Sequence, residues 1–211
     1  MDDKQAPPDQ PRRRGRRWCY WFLRILWILF VCIIVFVVLV ILVLYSVIQP
    51  RPFKFQVSEA RLTEFNYSDD GSNTLRYNLV LNFTAINPNK MLSIYYDKVE
   101  GHVLYGGVWV DSTHVVTWNT SFRQYTKSTD PMNGRFWGRH VVVLDASDFE
   151  RDKRNGVFNI DLRLNFGIRL RLGDFIAGDM KPRAQCGLKV PFVSNETAVT
   201  GFRLTQCDID F

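Results

Sequence analysis

Apolar positions along this chain follow two patterns. From Ile25 to Ile48 they run almost without a break: none of the 24 residues is charged, and 20 are Leu, Ile, Val or Phe. Further on they alternate. Leu75, Tyr77, Leu79, Leu81, Phe83 and Ala85 are separated by Arg76, Asn78, Val80, Asn82 and Thr84. Phe158, Ile160, Leu162, Leu164, Phe166, Ile168, Leu170 and Leu172 are separated by Asn159, Asp161, Arg163, Asn165, Gly167, Arg169 and Arg171. The continuous run predicts a helix in lipid, and the alternation predicts strands with one buried and one wet face.

Weaker signals extend the β reading. Asn87-Pro88-Asn89-Lys90 stops the first strand with turn-forming residues. Met91–Val99, His102–Tyr105, Val115–Trp118 and His140–Leu144 read as further strands. Gly106-Gly107, between Val103-Leu104-Tyr105 and Val108-Trp109-Val110, predicts a tight hairpin, because glycine accepts the positive φ of a two-residue turn. Gly167 marks a bulge or bend. Cys186–Val193 and Phe202–Phe211 supply the closing strands. One helix of about two turns is expected from Ser147-Asp148-Phe149-Glu150, read as a capping box, to Asn155-Gly156. Many short strands with frequent turns predict an antiparallel β-sandwich.

The apolar run sets the organisation. At ~0.3–0.6 kcal/mol per residue its 20 aliphatic and Phe residues favour insertion by roughly 6–12 kcal/mol at most. It spans about 36 Å, enough to cross a ~30 Å hydrocarbon core with tilt. A secretory signal has a shorter apolar region and a small-residue cleavage site; here Ser46 follows Leu44 by two, a poor site. The reading is an uncleaved anchor over residues 18–48, between a disordered basic tail (1–17) and a β domain (49–211). Arg12, Arg13, Arg14, Arg16 and Arg17 precede the anchor, so the positive-inside rule puts the N-terminus in the cytosol and the domain outside. Trp18, Tyr20, Trp21 and Trp27 suit the headgroup level on the cytosolic side. Of the formal net charge of +6, residues 1–24 hold +4, from seven Lys/Arg and three Asp. The basic balance thus belongs mostly to the tail, which argues against a nucleic-acid-binding face.

Cysteines and sequons agree with that direction. Cys186 and Cys207 lie where oxidation is possible. A bridge would stabilise the domain by ~3 kcal/mol; the alternative is two free buried thiols. Cys19, beside the membrane, is either a palmitoylation candidate or a plain interfacial thiol. The glycosylation candidates Asn66, Asn82, Asn119 and Asn195 all fall on the outer side. Asn66, before Asp69-Asp70-Gly71-Ser72, reads as a loop, Asn195 as another loop, and Asn82 as part of a strand.

Leu75-Arg76-Tyr77-Asn78-Leu79, Asn87-Pro88-Asn89-Lys90 and Ile94-Tyr95-Tyr96-Asp97 together resemble the first signature of the plant harpin-induced, non-race-specific-disease-resistance-like membrane proteins. Ser121-Phe122-Arg123-Gln124 resembles the second signature more weakly, and Val157–Leu172 the third. Lys181-Pro182 and Cys186–Pro191 are similar to the C-terminal region. The resemblance implies a late-embryogenesis-abundant group 2 (water stress and hypersensitive response) domain, a fibronectin type III-like sandwich of about seven strands with one short helix. It also implies a plasma-membrane location and a role in defence or stress. Some relatives are associated with membrane–wall adhesion, but Arg-Gly-Asp and Asn-Gly-Asp are absent here. The signature residues Asn87, Pro88 and Asn89 read either as a register-fixing turn or as a partner-binding loop. Tyr95 and Tyr96 point to opposite faces if they lie on a strand, one in the core and one outside. Asp97 completes the motif.

No motif calls for a cofactor. His102, His114 and His140 lack zinc-ligand spacing, and G-x-S-x-G, H-E-x-x-H and phosphate-loop patterns are absent. Asp69-Asp70 and Asp208/Asp210 read as solvated charges, and the Gly173–Asp179 passage does not match calcium-loop spacing. The expectation is a single-pass plasma-membrane protein whose outer sandwich is a binding or signalling module without catalysis, with protein partners on one or both faces of the membrane and cell-wall polysaccharide as a further candidate. Arg163, Arg169 and Arg171 are either a cationic strip for an acidic wall polymer or a solvated sheet face. The alternative function is a stress-protective protein that shields membranes or clients; an enzyme with an unrecognised site is the third. The sequence leaves the oligomeric state open.

Overall fold

Contacts divide the chain at Gln49/Pro50 into two units. The computed structural model describes residues 14–48, 50–68, 70–193 and 201–211. In the first unit a single helix, α1, runs from Arg14 to Ile48. Its segment Tyr20–Ser46 has 27 residues, none of them buried, and its most apolar 18 residues have a mean hydropathy of 3.7. That segment rises about 40 Å at 1.5 Å per residue, so its length and composition are those of a membrane-crossing helix. Arg14, Arg16 and Arg17 fall within α1, while Arg12 and Arg13 lie outside the described residues.

The second unit is a two-sheet sandwich. Its strands in chain order are β1 (Lys54–Ser68), β2 (Thr74–Ile86), β3 (Leu92–Tyr105), β4 (Val108–Val116), β5 (Phe122–Gln124), β6 (Thr129–Val141), β7 (Val157–Leu172), β8 (Phe175–Met180), β9 (Arg183–Pro191), β10 (Thr205–Gln206) and β11 (Asp208–Asp210). A helix, α2 (Ala146–Asn155), connects β6 to β7. The smaller sheet has the order β10-β1-β2-β6. The larger has β11-β9-β7-β3-β4, with β5 also pairing β3 and β8 pairing β7. All the strand pairings are antiparallel. Seven strands of nine or more residues, β1, β2, β3, β4, β6, β7 and β9, build the two layers.

The alternation in β2 and β7 buries Leu75, Tyr77, Leu79, Leu81 and Phe83 against Phe158, Ile160, Leu162, Leu164, Phe166 and Ile168 in one core. Aromatic rings fill both ends of it. Phe53, Phe55, Tyr96 and Phe166 meet at one end, and Phe65, Tyr105, Phe149 and Phe158 at the other. Such edge-to-face and offset pairs add to the burial of large rings.

Several elements differ from the sequence reading. Met91–Val99 and His102–Tyr105 are one strand, β3, because Gly101 does not interrupt it. A Cβ there would lie 2.9 Å from Phe136 Cζ of the facing sheet, so the missing side chain lets the layers close. Gly106 and Gly107 make the expected hairpin at φ 55° and 79°. β1 was not anticipated, because two register shifts, at Val57/Glu59 and Leu62/Glu64, break its alternation. The cap of α2 is Asp145 rather than Ser147. Asp145 accepts from the backbone N–H groups of Ser147 and Asp148, and Gly156 ends the helix at φ 67°. With 10 residues α2 is nearly three turns long. The closing segment is not one strand: β10 pairs β1 in the smaller sheet and β11 pairs β9 in the larger. Cys207 sits at that crossing and donates its N–H to Phe55 O at 2.9 Å. It is disulfide-bonded to Cys186, 21 residues earlier.

Candidate functional site

Parts of all three signatures meet on one strand, β3, which itself carries Ile94-Tyr95-Tyr96-Asp97 of the first. β5, which contains Phe122-Arg123-Gln124, pairs Tyr96, Tyr95 and Ile94 of β3. β7, which spans the third segment, pairs β3 along the same stretch. β3 therefore organises them, and each residue of Tyr95-Tyr96-Asp97 is held by one of the neighbours.

Asn87 and Asn89 close the end of this arrangement. Both are buried. Asn87 Nδ2 donates to Leu92 O at 2.8 Å and Tyr125 O at 2.9 Å, and Asn87 Oδ1 accepts from Asn89 N at 3.1 Å. Asn89 Oδ1 accepts from Arg51 N at 2.7 Å, while Asn89 Nδ2 donates to Arg51 O at 2.8 Å. Three separate chain segments are tied together by two amides, and Pro88 spaces them. Each Nδ2 group donates twice, Asn87 to Leu92 O and Tyr125 O and Asn89 to Arg51 O and Asn87 Oδ1, so the two amides clamp the fold at this end.

Tyr96 faces inward and Tyr95 outward. The fully buried Tyr96 ring stacks on Phe122 with centroids 5.1 Å apart, and its hydroxyl donates to Gln124 Oε1 at 3.0 Å. Burial pushes that hydroxyl's pKa above the usual tyrosine value. Tyr95 is surrounded by guanidinium groups. Arg171 Nη1 donates to its hydroxyl at 3.0 Å, and Arg123 and Arg169 lie 5.8 and 5.6 Å from its ring centroid. The bond from Arg171 is the main cause that lowers the phenol's pKa. Asp97 is 3% exposed and takes a two-point contact from Arg169, Nε to Oδ2 at 2.6 Å and Nη2 to Oδ1 at 2.8 Å. This fork geometry is the strongest form of Arg–carboxylate pairing. Asp97 reaches it because the β3–β7 register shifts between Tyr96 and Lys98.

Beside these residues the outer face of the larger sheet holds a groove of about 680 Å³, lined among others by Asp97, Lys98, Glu100, Trp118, Arg169 and Lys181. Trp118, 65% exposed, stands in a 3-10 turn, Trp118–Thr120. Sequence reasoning passed over it; an exposed indole beside a sequon was the available signal. Most charges around the groove are paired. Lys98 bonds Glu100 at 2.7 Å, His114 reaches the same carboxylate at 2.9 Å, and Lys181 meets Asp179 at 3.2 Å. The Lys98 bond lowers the Glu100 pKa. The strip Arg163, Arg169 and Arg171 is therefore not a free cationic strip. Arg169 is held by Asp97, and Arg171 by Gly173 O, Tyr95 and Asp174, which leaves Arg163 exposed.

The other candidates are dispersed. Asn66 is not in a loop but exposed near the end of β1, opposite Arg76. Asn82 is half-buried in β2 and donates through Nδ2 to Glu59 Oε2 at 2.7 Å. Asn119 is exposed beside Trp118, and Asn195 lies outside the described residues. The Cys19 side chain likewise lies outside them. His102 stacks on Trp109, and its Nε2 accepts from Asn165 Nδ2 at 2.9 Å. His140 Nδ1 is 2.6 Å from Val110 O. Asp208 and Asp210 are strand residues opposite Gln185 and Arg183. Among the described residues, no three His, Cys, Asp or Glu side chains converge as a metal site.

No family model matches the chain. A solved protein from Archaeoglobus fulgidus superposes with a TM-score of 0.31 and 11% identity, over 65% of this chain and 98% of its own, too slight a likeness to inform the fold. Curated relatives are much nearer in sequence. NDR1/HIN1-like protein 3 of Arabidopsis thaliana is 37% identical over 80% of this chain and 72% of its own length. NDR1/HIN1-like protein 10 and NDR1/HIN1-like protein 2 of the same plant are each 33% identical, over 78% and 79% of this chain and 73% and 69% of theirs. With the strand that joins its signature segments now in view, the chain belongs to the NDR1/HIN1-like family.

Proposed function

We propose that this is a single-pass plasma-membrane protein of plant defence or stress responses. Its N-terminus is cytosolic, and its sandwich acts in the apoplast as a non-catalytic binding or signalling module. The observation that carries the reading is the contrast within one chain between a helix with no buried residue over Tyr20–Ser46 and a sandwich that closes its own core. The first is built to meet lipid, the second to present a rigid surface in water. The arginine cluster of the tail, the outer-side sequons and the Cys186–Cys207 bridge support the orientation. The partner is a protein or a wall polymer.

Protease digestion of protoplasts tests the topology. A C-terminal epitope should disappear when protease is added to intact cells, and glycosidase should shift the full-length band. An epitope that survives in intact cells and is lost only after permeabilisation overturns the proposal.

A further inference from the structure

A cluster of cations without partners lies on the other sheet. On the outer face of β2 and β6, Arg76 stands directly opposite Arg139, and Val80 opposite Arg135. All three arginines are exposed, and among the described residues none has a carboxylate within ion-pairing distance. Trp137, between Arg135 and Arg139 on the same face and 68% exposed, pairs Asn78. Together with Glu64, these residues line a groove of about 440 Å³.

Two features need an explanation. Like charges directly opposite on adjacent strands destabilise a sheet, and an indole of this exposure gains nothing from the core. Asp70 feels the field of Arg139 but is itself bonded to the N–H and hydroxyl of Ser72. Arg135 is held in place by Nε to Asn78 Oδ1 at 3.3 Å, with its guanidinium 5.8 Å from the Trp137 ring. Asn78 is fixed in turn by Thr63 Oγ1 at 2.8 Å. The cationic ends are thus displayed around a flat aromatic platform.

We propose that this groove binds an acidic polysaccharide of the uronate class. A sugar carboxylate placed between Arg76 and Arg139 would take two guanidinium forks and relieve their repulsion. The Trp137 face would receive the C–H face of a pyranose ring. Arg135 and Arg139 are four residues apart on one strand, about 14 Å at ~3.4 Å per residue, so the groove suits an oligomer rather than one ring. Glu64 and Asn78 discriminate further. They can bond sugar hydroxyls, which a deoxyribose phosphodiester chain does not offer within its backbone. An acidic peptide brings no saturated ring to the indole, and an anionic bilayer would find one apolar side chain in a polar groove.

This inference rests on the reading that the sandwich faces the apoplast. Its test is independent of orientation, because affinity is read on purified full-length chain in zwitterionic nanodiscs. An oligogalacturonate should bind, while a neutral oligosaccharide of equal length, polyglutamate and phosphatidylglycerol vesicles should bind at least about tenfold more weakly. The double variant Arg76→Gln/Arg139→Gln, and separately Trp137→Ala, should each weaken oligogalacturonate binding about tenfold or more. Arg139→Lys, which keeps the charge and loses the fork, should fall between. Arg154→Gln, a surface charge on α2, should leave binding unchanged. Melting temperatures no lower than that of the parent chain establish that the variants fold. No binding, equal binding of polyglutamate or vesicles, or retention of binding in the Trp137 variant overturns the proposal.

Discussion

The two outer faces of the sandwich use their charges in opposite ways. On the larger sheet, Asp97 holds Arg169, Glu100 gathers Lys98 and His114, and Asp174 with Tyr95 occupies Arg171. On the smaller sheet, Arg76 confronts Arg139 with no such partner among the described residues. The first arrangement adds rigidity; the second subtracts stability unless something anionic arrives. Charge count alone does not distinguish them, since each face carries several arginines. What differs is whether a carboxylate lies within reach: Asp97 and Asp174 approach Arg169 and Arg171 from positions displaced along the strands, whereas Arg76 and Arg139 face only each other.

The comparison can be broken at the link the faces share. Cys207 lies between β10 of the smaller sheet and β11 of the larger, so replacing Cys186 and Cys207 with Ser should loosen both layers at once. The expected loss is about 3 kcal/mol in denaturant unfolding, from the closed loop alone. Next in size is Asp97→Ala, which removes a buried, two-point acceptor. It should cost about 2 kcal/mol, at the modest end for such pairs because Arg169 can turn to water. On the opposite face the sign should reverse. Arg76→Gln should leave the ligand-free melting temperature unchanged or raise it slightly, and the gain should shrink as salt screens the repulsion.

The smallest effect separates the faces by pH. Burial depresses the His102 pKa below its ordinary value of 6.5. The unfolded chain therefore binds the proton more readily, and His102 contributes stability that is present above pH 6.5 and declines as pH falls towards its folded pKa. Glu100, lowered by Lys98, contributes in the same direction below about pH 4.5. Melting curves between pH 7 and 5 should thus show a shallow decline that His102→Gln flattens.

Much of the fold was legible where a strand is regular. β2 and β7 bury every second residue, and Gly106-Gly107 supplies a hairpin with no steric cost. β1 was lost because two register shifts displace its apolar positions, and β6 because Pro131, Gly134 and Gly138 interrupt its pattern, although it pairs β2 throughout. β8 was missed because its side chains are mostly exposed. The site was less legible for a different reason. Arg163, Arg169 and Arg171 stand out as a strip in sequence, yet the residue that holds Arg169 is Asp97, 72 positions away and placed by a bulge. The unmatched pair Arg76 and Arg139 is likewise split between distant strands, and only sheet pairing reveals it. Asn87 and Asn89 were visible as a turn, but the bonds between Asn89 and Arg51 were not.

Those bonds bear on how the domain would carry tension. Arg51, gripped through both its N–H and C=O by Asn89, lies three residues before the start of β1, which has thirteen partners along β2. A tug delivered at the amino end of the sandwich and resisted by cargo on β2 and β6 would slide these strands lengthwise. The rungs would then share the load in parallel instead of parting one after another, the geometry of a strap sewn along its length.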